Sequence, residues 1–336
     1  MASVPFHPTS ASGATRLVGI ARLAAASPKT RERASVEYFA LESKSALNRE
    51  SSGRMPFDWT LNPYRGCEFG CQYCYARYTH EFMELRDTSD FERKIYAKTS
   101  VPELLRGELA RARDRGQSIA LGTATDPYQP AEKQFEVTRR ILEVLAGFEG
   151  LDFSLTTKSV LILRDLELLK TISKRHRFSV HLTVTTTDAR LARLLEPKAP
   201  PPAKRLEAVR QLAGAGIDVC VNAMPIVPGI TDHPPALEDL VRSAAAAGAR
   251  TLHGNVLFLM PTAMSHFMPF LEAEFPQLVA RYRRLYARSA YLNGDYKERI
   301  GKLVADLRAK YGLDARRSDP APKAAPQMLL PWGEGQ

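Results

Sequence analysis

The sequence predicts an α/β fold, namely a partial (β/α)6 TIM-like barrel with extra C-terminal helices. Six strand-like segments alternate with helix-like segments along the middle of the 336-residue chain. Strands that alternate with helices run parallel and are joined by right-handed crossovers. Six such units are too few for a closed barrel of eight. Two further helical segments follow the sixth strand, around 272–290 and 295–312.

The six predicted strands are short, rich in β-branched or aromatic residues, and bounded by turn residues. They lie in FDWTLNP (57–63), SIALGTAT (118–125), LDFSLTT (151–157), FSVHLTVTT (178–186), IDVCVNAMPIV (217–227) and TLHGNVLFLM (251–260). The helix-like segments between them repeat apolar residues every three to four positions. They are VPELLRGELARAR (101–113), VTRRILEVLAGF (137–148), SVLILRDLELLKTIS (159–173), AKRLEAVRQLAGAG (203–216) and PPALEDLVRSAAAAG (234–248). In such barrels the chemistry lies at the C-terminal ends of the strands.

Composition divides the chain into a core and two tails. Residues 1–35 and 314–336 are rich in Ser, Ala or Pro and lack sustained periodicity. We therefore expect a disordered N-terminal tail over 1–35 and a flexible tail over 314–336. Between them we expect a core barrel over 36–265 and a helical extension over 266–313.

The bulk composition is that of an ordinary globular protein, with 44% hydrophobic and 25% charged residues. No apolar run reaches the roughly 18 residues that a membrane span needs, and the N-terminus lacks a clear secretory signal. Four cysteines in so long a chain do not make a disulfide framework. We therefore expect a cytoplasmic protein with no membrane association.

The chain is basic, with a formal net charge of +10. Part of the excess lies in residues 281–311, where nine Arg and Lys residues accompany three acids. A basic surface of this kind suits a polyanionic partner such as nucleic acid. A solvated helix face explains the same pattern equally well, so both interpretations stay open.

Three of the four cysteines are Cys67, Cys71 and Cys74, in a C-x3-C-x2-C spacing. Thiolates are soft ligands for iron–sulfur clusters, zinc or Cu(I). Cys220 is far away inside a predicted strand, where it is most simply a small buried apolar residue. The three loop thiolates could therefore hold three irons of a cubane and leave the fourth iron open. Zinc completed by His80, or no metal at all, are the alternatives.

The cysteine segment, NPYRGCEFGCQYCYARYTHEF, is similar to the signature of radical S-adenosylmethionine enzymes. The motifs GTATDPYQPAE, TTKS and TTTDARLARLLEP follow it in succession. Together they resemble the branch of that superfamily related to spore photoproduct lyase, the DNA repair photolyase-like proteins. The resemblance extends over approximately residues 40 to 265.

This resemblance implies a set of cofactors and a first chemical step. A [4Fe-4S] cluster on the three loop cysteines would bind S-adenosylmethionine at its open iron. One electron would then release a 5′-deoxyadenosyl radical that takes a hydrogen atom from the substrate. The implied partners are an electron donor such as flavodoxin or ferredoxin, and nucleic acid as the favoured substrate. The alternatives are the same chemistry on a small molecule, peptide or protein, and a non-catalytic metal-binding nucleic-acid module.

The resemblance also implies five residues that bind S-adenosylmethionine, in the cysteine loop or at the ends of predicted strands. They are Tyr73, Thr125, Asp126, Lys158 and Thr183. Asp126 precedes a proline and could instead cap a turn, and β-propensity alone could explain Thr183. Lys158 at a helix start is poorly placed for the helix dipole, which favours a functional role.

Four further residues are weaker candidates for the same site. Arg77 and His80 are three positions apart and could face the site together. Thr185 shares a strand face with Thr183, and Asn222 ends the fifth predicted strand. No residue is assigned to catalysis beyond cofactor binding.

The chain departs from the family pattern at Thr123. Spore photoproduct lyases have a cysteine in this turn that is thought to return a hydrogen atom to the substrate radical. A threonine O–H bond is too strong for that role, and Cys220 on another strand does not obviously replace the cysteine. The sequence therefore does not favour thymine-dimer repair, and it leaves the substrate and the oligomeric state open.

Overall fold

The computed structural model describes residues 17–33, 35–53, 55–112, 117–292 and 294–313. Its strands form two sheets, one of seven and one of four strands. In chain order the strands are β1 (Lys29–Arg33), β2 (Val36–Ala40), β3 (Leu47–Arg49), β4 (Trp59–Leu61), β5 (Tyr64–Arg65), β6 (Lys94–Ala97), β7 (Ser118–Leu121), β8 (Asp152–Thr157), β9 (Arg177–Thr183), β10 (Val219–Ile226) and β11 (Thr251–Val256).

The helices follow the strands in regular alternation from residue 101 onward. In chain order they are α1 (Gly19–Ala26), α2 (Asp90–Arg93), α3 (Val101–Ala112), α4 (Glu132–Phe135), α5 (Val137–Ala146), α6 (Leu166–Arg175), α7 (Ala189–Leu195), α8 (Pro202–Gly214), α9 (Pro234–Ala246), α10 (Pro261–Glu274), α11 (Val279–Leu285) and α12 (Asp295–Lys310). Three 3₁₀ helices add Tyr75–Met83, Val160–Asp165 and Pro276–Leu278.

The larger sheet has the strand order β11-β10-β9-β8-β7-β4-β3. Its strands from β4 to β11 pair in parallel and are the six that the sequence predicts. β3 pairs antiparallel with β4; with only three residues it is too short to show a periodicity. Within the described part of the chain β11 and β3 are edge strands, so the sheet does not close. The prediction of a partial barrel is therefore confirmed.

Helices cover one face of this sheet. A Cβ added to Gly254 of β11 would lie 3.1 Å from Val304 of α12. The strand register places Gly254 on the same face as Val180 and Leu182 of β9, which are fully buried. Residues at alternate positions, such as Thr183, point the other way. We call this opposite side the inner face of the sheet.

The smaller sheet, β1-β2-β6-β5, was not predicted. All side chains of β1 are exposed, so no alternation of apolar and polar residues marks it. It is held instead by antiparallel backbone pairing with β2. Both α1 and β1 lie within residues 1–35, so this part of the segment has regular secondary structure instead of the disorder that composition predicts. Residues 1–16 and the tail expected over 314–336 lie outside the described residues.

The extra C-terminal helices are α10, α11 and α12. α12 buries Ile300, Val304 and Leu307, and Val304 reaches the helix-covered face of β11. This helix therefore covers the last strand of the barrel. Among the described helices, none combines the length and the apolar character that a membrane crossing requires.

Candidate active site

The cysteine loop, residues 66–74, connects β5 to the 3₁₀ helix that starts at Tyr75. Cys67 and Cys71 are each 8% exposed, and Cys74 is partly buried. The Cys67 N–H donates to the carbonyl oxygen of Phe91 at 2.8 Å, and the Cys74 N–H donates to that of Cys71 at 3.2 Å. These bonds fix three largely buried thiols on one short loop.

The side chain of Gln129 orients the start of the loop. It is fully buried in the segment that follows β7. Its amide nitrogen donates to the Gly66 carbonyl at 2.9 Å, and its amide oxygen accepts from the Glu68 N–H at 3.0 Å. Both partners flank Cys67, so Gln129 holds the backbone on either side of the first thiol. The sequence alone predicts no role for Gln129, because a single amide side chain forms no recognisable pattern.

Gly66 and Gly70 in this loop share a backbone conformation but differ in crowding. Gly66 has a φ of +77°, and a Cβ there would lie 2.6 Å from Lys94 O and 2.8 Å from Phe91 O. Gly70 has a φ of +60°, but a Cβ there would have no neighbour nearer than 3.9 Å. Only Gly66 therefore requires the absence of a side chain for steric reasons as well as conformational ones.

We expect Gly66→Ala to lose bound iron and to lower the free energy of unfolding by about 2–5 kcal/mol. Left-handed backbone accounts for about 1–2 kcal/mol of this, and overpacking for about 1–3 kcal/mol. Gly70→Ala is the matched control and should show only the first effect. Urea unfolding and iron analysis of both variants measure the difference; equal values would contradict the crowding at Gly66.

Burial of the three thiols changes their acid–base properties. Burial raises the pKa of all three, that of Cys71 to about 12, so the thiolates need compensating positive charge or a metal. The backbone N–H groups of Phe69 and Asp126 lie against Cys67 and oppose this rise in its pKa. Hydrogen bonds to the sulfurs also tune the potential of iron–sulfur clusters.

The spacing of the sulfurs distinguishes a cluster from a single ion. A tetrahedral zinc site with Zn–S bonds of about 2.3 Å brings its sulfurs within about 3.8 Å of one another. Among the described residues, only His181, Cys220 and His253 bring three ligand atoms within 4.8 Å of one another. The three loop sulfurs therefore do not all lie within 4.8 Å of one another, a spacing that suits a four-iron cluster, which offers each thiolate its own iron, better than one zinc ion. The residues present fit a [4Fe-4S] cluster.

A buried ion pair joins the cysteine loop to the end of β9. Glu196 and Arg205 are each 1% exposed, and their closest N···O distance is 2.5 Å. Glu196 accepts a hydrogen bond from the Tyr73 hydroxyl, and Arg205 donates to the Thr183 carbonyl oxygen at 3.1 Å. Burial raises the pKa of Glu196, but the charges of Arg205 and Lys158 lower it below its ordinary value. The pair therefore connects two predicted site residues, Tyr73 and Thr183.

Lys158 lies beside Tyr73, with its ammonium 5.8 Å from the centre of the ring. Burial lowers the pKa of Lys158, but the negative charges of Glu196 and of Cys71 in its thiolate form raise it more, so the net shift is upward. Its ammonium has no hydrogen bond or ion pair with any residue in the described part of the chain. A lysine ammonium that stays charged and has no hydrogen bond or ion pair is suited to bind a carboxylate.

Asp126 caps the turn after β7, the alternative that its position before a proline predicts. One carboxylate oxygen accepts from the Tyr128 N–H at 2.9 Å and the Thr157 hydroxyl at 2.6 Å, and the other accepts from the Lys158 N–H at 2.6 Å. These bonds connect the turn after β7 to the end of β8. Burial nevertheless raises the pKa of Asp126. The neighbouring Thr125 hydroxyl donates to the Tyr64 carbonyl at 3.3 Å.

Thr183 lies on the inner face at the end of β9, where the register pairs it with Asn222 of β10. Both are largely buried, at 4% and 7% exposure. The hydroxyl of Thr185 donates to Glu196 at 3.3 Å, so Thr185 belongs to the buried ion-pair network. The inner face therefore carries polar side chains at the same end of the strands as the cysteine loop.

Arg77 and His80 do not face the site together. The Arg77 side chain is fully buried, lies 2.5 Å from Glu92 and donates to the Cys71 carbonyl at 3.2 Å. Arg77 therefore stabilises the cysteine loop through the Cys71 carbonyl. His80 contacts the Lys94 carbonyl at 3.1 Å and packs edge-on against Phe91. The structure thus offers no support for a zinc site completed by His80.

A row of aromatic rings leads from the cysteine motif to the surface. Tyr75 packs against Phe258, and Phe258 stacks on Tyr291, each with ring centres 5.3 Å apart. Tyr291 is 47% exposed. The Tyr75 hydroxyl donates to the carbonyl of Thr123, whose own hydroxyl accepts from Asn62 at 3.1 Å. We call Tyr75, Phe258 and Tyr291 the aromatic row.

Comparison with protein families gives a match over residues 61–241 to the Radical SAM superfamily. An uncharacterized protein of Mycobacterium tuberculosis is 38% identical over 289 residues, which are 86% of this chain and 84% of the relative. An uncharacterized protein of Methanocaldococcus jannaschii is 28% identical over 198 residues, 59% of this chain and 70% of the relative.

Solved structures of spore photoproduct lyase are similar in fold. One mutant has a TM-score of 0.61 at 14% identity, over 82% of this chain and 79% of the lyase. A second mutant, with bound AdoMet and dinucleoside spore photoproduct, has a TM-score of 0.59 at 12% identity over the same shares. At 12–14% identity, this similarity shows a shared fold and nothing more.

Proposed function

The chain belongs to the radical SAM superfamily and is an enzyme of radical S-adenosylmethionine chemistry; from that premise we propose its cofactors and substrate class. We propose that Cys67, Cys71 and Cys74 hold a [4Fe-4S] cluster that cleaves S-adenosylmethionine reductively, and that the substrate is nucleic acid. The observation that carries the first part is the short loop that holds three largely buried thiols. The fourth cysteine, Cys220, lies on β10 and has its contacts there.

The cluster would supply the electron that breaks a carbon–sulfur bond of S-adenosylmethionine. The ammonium of Lys158, which has no hydrogen bond or ion pair in the described part of the chain and lies beside the Tyr73 ring, would bind the methionine carboxylate. Tyr73, held through its hydroxyl by Glu196, would present a fixed ring beside the cofactor. Asp126 and Thr125 would shape the adjoining turn, and Thr183 would contribute from the inner face. A flavodoxin- or ferredoxin-like protein would deliver the electron.

Support for nucleic acid comes from the surface beside this site. The backbone N–H of Leu259 donates to the carbonyl of Ala290 at 2.9 Å, which fixes Tyr291 near the C-terminal end of β11. Arg284 and Arg288 are exposed on the segment that precedes Tyr291. Exposed aromatic rings with neighbouring cations are the usual platform for single-stranded nucleic acid. The solved lyase of similar fold was captured with a dinucleoside photoproduct.

We expect Tyr291→Ala to weaken binding of a single-stranded oligonucleotide about five- to 150-fold, because stacking contributes about 1–3 kcal/mol per base. Phe82→Ala is the control, since that exposed ring contacts Tyr78 and not the aromatic row. Fluorescence anisotropy at several salt concentrations measures both variants. Equal affinities for the two would contradict a role of the aromatic row in binding.

Isotope transfer tests the substrate class even while the individual substrate is unidentified. DNA or RNA is purified from cells grown in deuterated medium and transferred to ordinary water. Deuterium on nitrogen and oxygen then exchanges with the solvent, so that only deuterium on carbon is retained. Incubation with the reduced protein and S-adenosylmethionine should then give 5′-deoxyadenosine that carries deuterium. Unlabelled 5′-deoxyadenosine with both nucleic acids would refute nucleic acid as substrate and leave the radical chemistry intact. Absence of 5′-deoxyadenosine would refute both parts and favour a non-catalytic metal-binding module.

One observation favours the alternative of a small molecule, peptide or protein as substrate. Several cations of the basic C-terminal segment are already paired, namely Arg283 with Glu272, Lys302 with Asp306 and Lys310 with Glu238. These ion pairs reduce the positive charge available to a polyanion. Deuterated total protein in the same assay tests this alternative directly.

A further inference from the structure

His181, Cys220 and His253 form a cluster of metal-ligating side chains outside the cysteine loop. They come from β9, β10 and β11, three adjacent parallel strands. Cys220 pairs with His181, and His253 pairs with Asn222, two residues beyond Cys220. Residues two apart on a strand share a face, so all three side chains lie on the inner face. One ligand atom from each lies within 4.8 Å of the other two.

The cluster is accessible from one side. Cys220 is 3% exposed, His181 is partly exposed, and His253 is exposed. In the described part of the chain β11 is an edge strand of the larger sheet, so His253 lies at the open side of the partial barrel. A buried thiol with two more accessible imidazoles leaves an entry path for an ion.

Polar neighbours orient two of the three side chains. The Ser179 hydroxyl contacts His181 Nε2 at 3.2 Å. The Asn222 side chain lies 3.8 Å from the Cys220 sulfur and also interacts with His181. The Thr251 hydroxyl interacts with the Cys220 thiol. Partners of this kind fix ring orientation and ligand direction in metal sites.

We infer that His181, Cys220 and His253 form a second metal site, separate from the cysteine loop, for a divalent ion such as Zn²⁺. Two imidazole nitrogens and one thiolate are a donor set that zinc favours. Tetrahedral binding needs the three atoms about 3.3–3.8 Å apart, and they lie within 4.8 Å of one another before any metal is bound. Three protein ligands leave a fourth position for water or substrate. Charges of both signs, Arg308 and Asp218, lie near Cys220.

Metal analysis of the holoprotein tests this inference. The protein is reconstituted anaerobically so that iron occupies the cysteine loop, exposed to Zn²⁺, and freed of excess metal by gel filtration. We expect about four irons and one zinc per chain. Cys220→Ser and His253→Ala should lose the zinc and keep the iron. His233→Ala removes an exposed histidine outside the cluster and should keep both metals.

Co²⁺ used in place of Zn²⁺ identifies the sulfur ligand. Thiolate-to-cobalt charge-transfer absorption should appear in the holoprotein and disappear in Cys220→Ser. Equal zinc contents in the wild type, Cys220→Ser and His253→Ala, or no zinc in the wild type, would overturn the inference. Because zinc content is measured without turnover of S-adenosylmethionine, this result does not depend on the proposed radical chemistry.

Discussion

Cys67→Ala should release the cluster, with iron falling from about four atoms per chain to less than one and 5′-deoxyadenosine formation falling more than about 100-fold. Even the loss of a residue that only supports a metal ligand typically costs 10–100-fold in affinity or activity, and Cys67 is proposed as a ligand itself. Iron analysis and product quantification on anaerobically reconstituted protein measure both changes.

Cys220→Ser is the matched control for iron binding. Cys220 is buried like Cys67, but its contacts are with β10 and Thr251. This variant should therefore retain the full iron content. Cys67→Ala protein with four irons, or Cys220→Ser protein without iron, would contradict the assignment of the cluster to the loop.

Removal of one partner of the buried ion pair should be the most destabilising single change outside the cluster. Glu196→Ala leaves Arg205 as an uncompensated buried charge and removes the acceptor of the Tyr73 and Thr185 hydroxyls. We expect the free energy of unfolding to fall by about 3–5 kcal/mol. Arg205→Met should have a similar effect, and urea unfolding at neutral pH measures both.

The double variant Glu196→Leu/Arg205→Met distinguishes loss of charge compensation from loss of packing. Replacing both members of a buried pair with apolar residues is often close to neutral, so the double variant should be more stable than either single one. The exposed pair of Glu207 and Arg210 is the control, because alanine at such surface pairs changes stability by less than about 1 kcal/mol. Similar effects at the two pairs would contradict the role assigned to burial.

The sequence predicted the barrel well because its strands carry clear signals. The six parallel strands are bounded by turns, and residues such as Val180 and Leu182 repeat along the covered face. β1 was not predicted because all of its side chains are exposed, and β3 was not predicted because it has only three residues. A strand is predicted from the burial of alternate side chains, and β1 lacks this signal because its contacts with β2 are backbone pairing and exposed side-chain bonds such as the Lys29–Glu37 ion pair.

The site was predicted less completely than the fold. The three cysteines and Lys158 have a local spacing or an unusual position that the sequence displays. Gln129 and Arg205 support the site from positions remote in sequence, and their partners appear only when the chain is folded. Glu196 lies in the motif TTTDARLARLLEP. Its role nevertheless becomes evident only from the ion pair with Arg205. The cluster of His181, Cys220 and His253 likewise depends on the register of β9, β10 and β11, which cannot be predicted from the sequence.

Electron paramagnetic resonance of the reduced protein tests the central claim, an open iron that binds S-adenosylmethionine at the Cys67, Cys71 and Cys74 loop, most directly. We predict a reduced [4Fe-4S] signal that changes shape when S-adenosylmethionine is added, with hyperfine coupling to a ¹⁵N label on its amino group. A signal that S-adenosylmethionine leaves unchanged, without coupling to the label, would contradict the account.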